Sequence, residues 1–472
     1  MNHPTLHPAF VRRAFPDELL AQLKALFAER VSTAEAVRAH HGRDESAFDP
    51  QLPDAVVFAQ TTEEVSQIVK LCAQHQVPVI PYGNGSSLEG HLLAIHGGVS
   101  VDLSGMNRVI AVDVDDLTVT VEAGVSRKQL NEHLRETGLF FPIDPGADAS
   151  IGGMSATRAS GTNAVRYGSM RENVLALTVV RADGTIIKTG TRAKKSASGY
   201  DLTRLFVGSE GTLGVITEIT VRLYPQPEAV SAAICAFPSM GEAVRSVIQI
   251  IQLGVPIARV EFVDALAISA INAHSQMTMK ASPTLFFEFH GSPAGVAEQA
   301  GIVQEIATEN GGQDFAWATH PEDRSRLWNA RHNALFAILQ TQPGSRAITT
   351  DVCVPISRLA ECVVETERDL NASGLKCPIV GHVGDGNFHV CILVDPTRPE
   401  QFAAAERLNQ RIVARALAMD GTCTGEHGIG LHKMGFLIDE HGAEAIATMR
   451  AIKHALDPHN LMNPGKVFDF VD

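Results

Sequence analysis

Three stretches rich in small residues constrain the fold most. The first follows a predicted strand, the third precedes one, and no amphipathic pattern explains the long second stretch. The three stretches cover residues 81–90, 145–163 and 208–214. Glycine lets the backbone approach a ligand closely, and successive backbone N–H groups form a site for an anion. The first stretch contains Gly83 and Gly85 but lacks the third glycine of the dinucleotide fingerprint, so a Rossmann nicotinamide site is not predicted. One such stretch could be an ordinary loop; together they predict an extended, phosphate-bearing ligand.

The segment 381–389 predicts a hairpin that carries a histidine pair. Its sequence, Gly-His-Val-Gly-Asp-Gly-Asn-Phe-His, lies between two apolar runs, and Asp385-Gly386 is a preferred pair for a tight two-residue turn. A turn there would set His382 directly opposite His389, with Cβ atoms about 4.5–5.5 Å apart. Two imidazoles at this separation are able to grip one metal ion. The alternative is a hydrogen-bonded, half-buried pair, and sequence spacing alone cannot join a third ligand to it.

The order of the predicted elements indicates more than one domain. A chain of 472 residues exceeds one ordinary hydrophobic core. Short alternating strands and capped helices extend to a linker at 224–227. Beyond it, strands near 230–236, 284–289, 347–354 and 379–394 are separated by long amphipathic helices. This pattern is typical of an antiparallel sheet with helices on one face, so we expect an α+β fold.

Charge, cysteines and hydropathy argue against several kinds of partner and compartment. The formal net charge of −14 argues against a nucleic-acid or anionic-membrane partner. The 7 cysteines show no C-x-x-C spacing, which indicates reduced thiols. No apolar run approaches about 18 residues, and residues 1–29 lack a signal peptide's apolar core and contain acidic residues that fit a transit peptide poorly. We therefore expect a cytoplasmic protein without a transmembrane segment.

These motifs resemble the vanillyl-alcohol oxidase-type flavoproteins, and in particular their branch that oxidises D-2-hydroxy acids. The resemblance runs from about Pro53 to Phe468 and is strongest with the FAD-dependent D-lactate dehydrogenases of the cytochrome-linked type. Glycolate oxidase catalytic subunits and D-2-hydroxyglutarate dehydrogenases are near relatives. Besides the three small-residue stretches in their order, the motifs that carry it are residues 161–168, 208–214, 381–389 and 424–428 and Asn463-Pro464-Gly465-Lys466.

The resemblance implies a two-part FAD-binding domain with an α+β cap. We expect an N-terminal helical segment at 1–52, the FAD-binding domain at 53–226, and a substrate or cap domain with a metal site at 227–440. Residues 441–472 would form a C-terminal segment that returns to the FAD-binding domain.

The resemblance also implies that FAD lies extended, with its pyrophosphate on 83–87 and 145–153. Some relatives attach the flavin to a histidine of the first stretch, where this chain has Ser86 and Ser87, so we expect non-covalent FAD. The residues implied to bind it are Pro81, Gly83, Asn84, Gly85, Ser86, Ser87, Gly90, Pro145, Gly146, Ser150, Gly152, Gly153, Gly161, Tyr167, Gly168, Gly211, Val215 and Asn463.

A metal site and a base follow from the same resemblance. His382, His389 and Glu426 match the positions of the ligands of a divalent metal, and such a ligand set is compatible with Zn²⁺ or Mn²⁺. His427 matches the proposed base. The alternative for His427 is a loop histidine in solvent.

Arg331 is the predicted partner of the substrate carboxylate. It shares a predicted helical face with Leu327 and Leu335, and an arginine on an apolar face needs an anionic partner. Its position in the family favours a substrate role, and the alternative is a structural salt bridge.

The implied function is oxidation of D-lactate, or a similar short D-2-hydroxy acid, to the 2-oxo acid with hydride transfer to FAD. Glycolate oxidase-type and D-2-hydroxyglutarate dehydrogenase activities are the alternatives within the family. Relatives that act on D-2-hydroxyglutarate carry a lysine just before an aspartate where this chain has Thr349 and Thr350, and an asparagine where it has Cys391. Because a dicarboxylate would bury its second charge without a partner, a short apolar tail is favoured.

Two hypotheses from other classes stay open. A metal-dependent hydrolase would use the same histidines but leaves the small-residue stretches unexplained. A non-catalytic flavin-binding subunit is disfavoured by the presence of all four residues His382, His389, Glu426 and His427. The electron acceptor (a cytochrome, a quinone or an electron-transfer flavoprotein) and a possible homodimer are left undecided by the sequence.

Overall fold

The computed structural model describes residue 12 and residues 14–318 and 320–469. The chain divides into two compact units. Unit 1 contains residues 1–160, 169–225 and 426–472, and unit 2 contains residues 161–168 and 226–425. The boundary between 225 and 226 falls in the predicted linker. Residues 426–440 belong to unit 1, although the sequence prediction assigned them to the second domain.

The strands of both units are short, and most helices span fewer than four turns. In chain order the strands are β1 (Val31–Ser32), β2 (Ala55–Phe58), β3 (Val79–Tyr82), β4 (Val99–Asp102), β5 (Val109–Asp113), β6 (Thr118–Glu122), β7 (Leu139–Phe140), β8 (Val174–Val180), β9 (Ile186–Lys188), β10 (Val215–Arg222), β11 (Tyr224–Pro225), β12 (Ala229–Ala236), β13 (Arg259–Val263), β14 (Thr284–Gly291), β15 (Gln313–Ala318), β16 (Arg346–Thr349), β17 (Val352–Cys353), β18 (Ile379–Gly381) and β19 (Asn387–Val394). The α-helices are α1 (Asp17–Phe27), α2 (Glu35–His41), α3 (Thr62–Gln74), α4 (Arg127–His133), α5 (Ile151–Thr157), α6 (Ala164–Tyr167), α7 (Met170–Asn173), α8 (Leu202–Phe206), α9 (Met240–Gln252), α10 (Ala265–Ser275), α11 (Pro293–Glu309), α12 (Pro321–His332), α13 (Ala334–Gln340), α14 (Leu359–Ser373), α15 (Pro399–Ala418), α16 (Leu437–His441) and α17 (Ala443–Leu456).

Unit 1 is built on two main sheets. The first has the order β1-β2-β4-β3, in which β2, β4 and β3 run parallel and β1 is antiparallel to β2. The second, β5-β6-β10-β8-β9, is antiparallel throughout. Helix α3 begins at a side-chain cap, in which Thr61 accepts a hydrogen bond from the N–H of Glu64. Because β3 ends at Tyr82, the stretch 83–90 leaves the carboxyl edge of the parallel strands.

Unit 2 is built on one antiparallel sheet, which confirms the predicted α+β fold. Its eight strands have the order β15-β12-β14-β13-β18-β19-β16, with β17 also paired to β19. Helices α10, α12 and α13 pack on this sheet through a core that includes Phe286, Trp328 and Ile338. In the part of the chain that the structure describes, no helix has both the length and the apolar character needed to cross a membrane.

The hairpin at 379–394 has a register that differs from the predicted one by two residues. Val380, not His382, pairs with His389. A two-residue type I′ turn needs positive φ at both central residues, but of Asp385 and Gly386 only Gly386 has it, at 82°. The turn is therefore longer: the N–H groups of Asp385 and Asn387 both donate to the carbonyl O of His382, at 3.0 and 3.3 Å.

The shift leaves the histidine pair intact. Side chains alternate between the faces of a sheet, so a slip of two residues keeps every side chain on its face, whereas a slip of one would reverse it. His382 and His389 become diagonal neighbours, and their ring centroids lie 5.3 Å apart.

The predicted continuous helical face of Leu327, Arg331 and Leu335 is wrong. Helix α12 ends at His332 and a new helix begins at Ala334, so Leu335 belongs to a different helix. Asn333 separates them with φ −83° and ψ 8°, a conformation that does not continue the α-helix. Leu327 and Arg331 are both buried, as predicted for one face of α12.

The hairpin turn supplies the first prediction. At Gly386 an added Cβ would lie 2.1 Å from the carbonyl O of Val354, and φ is +82°. At Gly374 φ is also positive, +72°, but no atom lies within 4 Å of an added Cβ. Gly374→Ala should therefore cost only the left-handed strain of about 1 kcal/mol. Gly386→Ala should cost about 2 kcal/mol more, because the backbone of Val354 must move.

Urea unfolding of the two variants measures this difference. Equal losses at the two positions would mean that the turn yields to a side chain without strain.

Candidate flavin and metal sites

Unit 1 brings the first and second small-residue stretches together. A Cβ added to Gly83 would lie 2.6 Å from Ser150 Oγ. Asn84 Nδ2 donates to the carbonyl O of Asp148 at 2.7 Å. Ser150 also begins helix α5, since its side chain accepts from the N–H of Gly153. The two stretches therefore lie against each other with little space for larger side chains.

The third stretch packs against the same helix. The N–H groups of Gly208 and Glu210 donate to the carbonyl O atoms of Ser155 and Ala156, both at 2.9 Å. A Cβ added to Gly152 would lie 2.8 Å from the carbonyl O of Ala123. The glycines of these stretches permit close backbone packing around α5.

The C-terminal segment of unit 1 joins this cluster through Asn463. Asn463 Nδ2 donates to the carbonyl O atoms of Glu210 and His91, at 2.8 and 3.1 Å. An added Cβ on Gly211 would lie 3.1 Å from Pro81 and 3.8 Å from Asn463. Val215 is buried at the start of β10. Asn463 Oδ1 is buried without a hydrogen-bond partner among the described residues, so it presents a free acceptor.

The remaining predicted cofactor residues fall in two groups. Gly161, Tyr167 and Gly168 belong to unit 2, where Tyr167 Oη is 2.8 Å from His290 Nδ1. The first stretch borders a cavity in unit 1, and an added Cβ on Gly146 meets no atom within 4 Å. The cavity is lined by His40, Arg43, Asp44, Glu45, Tyr82, Asn84 and Gly85. The closely packed glycine-rich backbone of the three stretches, with the buried acceptor Asn463 Oδ1 in the same unit, fits a polar extended cofactor such as FAD.

The histidine pair in unit 2 is oriented by acceptors on its Nδ1 atoms. His382 Nδ1 lies 2.7 Å from Glu261 Oε1, and His389 Nδ1 lies 3.1 Å from the carbonyl O of Thr350. These contacts place the ring proton on Nδ1 and leave Nε2 as the ligand atom. Metal-binding histidines have this second-shell pattern. One ligand atom of each ring lies within 4.8 Å of the other, so the pair fits a divalent metal.

Asp351 is the buried acid of the same cluster. Its Oδ1 lies 3.5 Å from His389 Nδ1, and its Oδ2 accepts from Thr424 Oγ1 at 2.6 Å. Its carbonyl O accepts from the N–H of Gly425 at 2.7 Å. Glu426 is one peptide bond beyond this anchored backbone.

Glu261 was missed by the sequence reasoning. It is fully buried on β13, and its second oxygen, Oε2, accepts from Arg331 Nη2 at 2.5 Å. Arg331 therefore makes the structural salt bridge that was its alternative interpretation. Its Nε is nevertheless buried without a hydrogen-bond partner among the described residues, so one donor is left for a ligand. The available signal was an ionisable residue within the apolar run 260–263 of this strand.

His427 is not a loop histidine in solvent. Its side chain is 11% exposed, and its Nδ1 lies 3.1 Å from Glu89 Oε1. Glu89 also accepts from His432 Nδ1 and Lys433 Nζ, both at 2.8 Å. Burial alone would raise the pKa of Glu89, but the charge of Lys433 and the histidine hydrogen bonds hold it well below its usual range. The carboxylate thus fixes the His427 ring with Nε2 as its acceptor.

Glu89 lies inside the first small-residue stretch, where its charge among glycines and serines was the overlooked signal.

Two family models cover most of the chain: "FAD binding domain" matches residues 53–190, and "FAD linked oxidases, C-terminal domain" matches residues 226–467. The chain is a member of the FAD-linked oxidases.

Relatives place it in the D-lactate dehydrogenase group of that family. "Probable D-lactate dehydrogenase, mitochondrial" from Danio rerio is 54% identical over 93% of this chain and 89% of its own length. "D-lactate dehydrogenase [cytochrome], mitochondrial" from Arabidopsis thaliana is 50% identical over 96% of this chain and 80% of its own length. These matches confirm the predicted family.

A solved structure confirms the predicted fold. The 4-ethylphenol oxidase from Gulosibacter chungangensis matches with a TM-score of 0.79 at 18% identity, over 98% of this chain and 99% of that one. The fold of this FAD-linked oxidase is therefore the two-part FAD-binding fold of the vanillyl-alcohol oxidase type with an antiparallel-sheet cap.

The expected cytoplasmic location is wrong, because both relatives of this FAD-linked oxidase are named as mitochondrial proteins. Free cysteines report a reducing environment and do not distinguish one such compartment from another. The absence of a recognisable leader pattern among the first residues was too weak a basis for the expectation, and residues 1–11 lie outside the described part of the chain.

The Glu89 cluster supplies the second prediction. Glu89→Gln leaves the buried Lys433, 1% exposed, without its counter-charge and should destabilise the protein by about 3–5 kcal/mol. Glu122→Gln is the matched control. Glu122 is also buried, but its partner Arg108 is 74% exposed and its charge stays solvated, so the loss should be much smaller than for Glu89→Gln.

Urea unfolding of both variants gives the comparison. The double variant Glu89→Gln/Lys433→Met should recover part of the loss, and a double variant less stable than Glu89→Gln would rule out an uncompensated lysine charge as the cause.

Proposed function

We propose that the chain is an FAD-dependent dehydrogenase that oxidises D-lactate, or a similar short D-2-hydroxy acid, to the 2-oxo acid. The observation that carries this is its 54% identity, over 93% of its length, with a relative named as a D-lactate dehydrogenase. Three histidines oriented for the chemistry, the pair His382 and His389 and the separate His427, support it. Bound FAD would accept the hydride that leaves Cα of the substrate.

His382, His389 and Glu426 are the proposed ligands of a divalent metal. Both histidines direct Nε2 away from their Nδ1 acceptors. With a carboxylate as the third ligand, coordination positions would stay open for substrate. A metal there would hold the substrate hydroxyl and a carboxylate oxygen and lower the hydroxyl pKa. Zn²⁺ and Mn²⁺ both suit this ligand set.

His427 is the proposed base. The Glu89 carboxylate holds the proton on Nδ1, so Nε2 is the atom that accepts the hydroxyl proton of the substrate. The positive charge that develops on the ring is stabilised by the same carboxylate, as in other imidazole–carboxylate pairs.

Arg331 is the proposed partner of the substrate carboxylate. One arm of its guanidinium is committed to Glu261, and its buried Nε supports a role as donor to a ligand anion. A salt bridge and a substrate contact are compatible, because a guanidinium has five N–H donors.

Non-covalent FAD is proposed for the small-residue stretches. The cavity beside Asn84 and Gly85 and the free Oδ1 of Asn463 support the residues named for it in the sequence analysis. The relative from Arabidopsis thaliana is named as cytochrome-linked, so a cytochrome is the electron acceptor that we propose.

The metal is tested by removing one ligand. His382→Ala should lose turnover of D-lactate by at least about 100-fold while the flavin absorbance remains, because the metal serves the substrate and not FAD. His274→Ala is the control, since His274 is exposed, belongs to the same unit and hydrogen-bonds the side chain of Gln340. Chelator should inactivate the wild type and Mn²⁺ or Zn²⁺ should restore it.

Full turnover after verified removal of every metal ion would contradict the metal's role. Flavin that bleaches with L-lactate but not with D-lactate under anaerobic conditions would contradict the proposed substrate.

The size of the substrate is the next prediction. Relatives that oxidise D-2-hydroxyglutarate have a lysine where this chain has Thr349 and Thr350, and an asparagine at the position of Cys391. Thr349 and Cys391 lie directly opposite each other on β16 and β19. Burial raises the pKa of the Cys391 thiol to about 12, so this position is neutral. D-lactate and D-2-hydroxybutyrate should therefore exceed D-2-hydroxyglutarate in kcat/KM, by about 10-fold or more for one unpaired buried charge. Steady-state kinetics on the three acids decides, and a preference for the dicarboxylate would mean that another cation serves the pocket.

A further inference from the structure

We propose that Glu261 is a positioning residue that couples metal binding to recognition of the substrate carboxylate, an inference that rests on the function proposed above. Its Oε1 lies 2.7 Å from Nδ1 of the metal ligand His382, and its Oε2 lies 2.5 Å from Nη2 of Arg331. Neither role of Glu261 requires contact with substrate, metal or flavin.

The position of Glu261 in the sheet allows it to hold both partners. It lies on β13, and β13 pairs with β18 through Phe262–Gly381 and Val263–Val380, so His382 follows directly from the neighbouring strand. Arg331 comes from α12, whose core residues Leu327 and Trp328 pack in the same hydrophobic cluster. One carboxylate thus ties the end of a strand to a helix.

The Glu261 carboxylate is shielded from solvent together with its two partners. Its side chain is 1% exposed, and the side chains of Arg331 and His382 are 9% and 12% exposed. A buried carboxylate is tolerated when both oxygens are hydrogen-bonded, and here each oxygen receives one donor. If the carboxylate turns to follow one donor, its other oxygen moves away from the second donor. The orientations of the two donors are therefore linked.

The link has a chemical consequence. Glu261 fixes His382 with Nε2 as the ligand atom, and it fixes Arg331 with one arm occupied and Nε unpaired among the described residues. Metal affinity and substrate affinity should therefore change together when Glu261 is altered, although the residue touches neither.

Glu261→Gln is a sharp test because an amide has one acceptor where the carboxylate has two. The amide can accept from His382 or from Arg331, but its NH₂ group then faces the other donor. Glu288 is the matched control. It is a buried glutamate on the adjacent strand β14 and also lies between a histidine and an arginine, His290 at 2.8 Å and Arg259 at 3.3 Å.

The first measurement is the dissociation constant for Mn²⁺ of the flavin-loaded protein, from the electron paramagnetic resonance signal of free Mn²⁺. Glu261→Gln should weaken Mn²⁺ binding about 10–100-fold, the usual effect of losing a metal ligand's hydrogen-bond acceptor, whereas Glu288→Gln should stay within about threefold of wild type. This readout does not depend on turnover.

The second measurement is KM for D-lactate at saturating Mn²⁺. Glu261→Gln should raise KM roughly tenfold, because Arg331 loses its charge-assisted contact and its orientation. In an Arg331→Met background the same change should alter KM less than about twofold, since coupled residues are non-additive. A residue with only a structural role would raise KM by the same factor in the wild-type and Arg331→Met backgrounds.

Folded Glu261→Gln with both constants within about threefold of wild type would overturn the proposal. Equal loss of Mn²⁺ affinity in Glu288→Gln would overturn it too, because the loss would then follow from changing any buried glutamate of the sheet. If Glu261→Gln fails to retain flavin, Glu261→Asp, which keeps the charge and shortens the reach, takes its place with the same expected loss. Wild-type protein that binds no Mn²⁺ would instead refute the proposed metal, independently of Glu261.

Discussion

The interaction on which both candidate sites depend is a buried carboxylate that accepts the Nδ1 proton of a histidine. Glu261 serves His382 in unit 2, and Glu89 serves His427 in unit 1. In each case the carboxylate is 1% exposed and also carries a cation, Arg331 or Lys433. A buried charge is costly unless it is paired and hydrogen-bonded, so each carboxylate requires its histidine and its cation to stay in place. Each histidine therefore has one defined tautomer, with the Nδ1 proton held by the carboxylate.

The fold also places glycine where a side chain would prevent close packing within the two motifs that carry the histidines. Gly428 shows this in unit 1, since an added Cβ would lie 2.7 Å from Glu210 Oε1 and its φ is +83°. Gly381 shows it in unit 2, where an added Cβ would lie 2.8 Å from Phe388 Cβ. The glycine-rich character of both motifs therefore reflects backbone packing around fixed polar groups as well as space for a ligand.

Much of this arrangement could be predicted from the sequence. Strands separated by long amphipathic helices predicted the antiparallel sheet of unit 2, and the small-residue stretches predicted a cofactor fold that the family match confirms. The shared face of His382 and His389 followed from the period of a strand, which is insensitive to a slip of two residues. The turn itself was mispredicted, because Asp385 does not adopt the positive φ that the turn type requires.

Long-range pairs could not be predicted. Glu89 is 338 residues from His427, and Glu261 is 121 residues from His382, so no spacing rule joins them. Arg331 illustrates the same limit: its burial followed from the helical pattern, but its partner on β13 did not. Tertiary packing selects these partners, and only the unusual burial of a charged residue within a strand or a glycine-rich loop hints at them beforehand.

The central claim is that the two histidines of the unit 2 hairpin bind one metal ion through Nε2. X-ray absorption spectroscopy of the Zn²⁺-loaded protein tests it most directly. The account predicts nitrogen scatterers at about 2.0–2.1 Å with the outer-shell pattern of two imidazole rings, and one imidazole fewer in His382→Ala. A spectrum without imidazole scattering, or one that His382→Ala leaves unchanged, would contradict it.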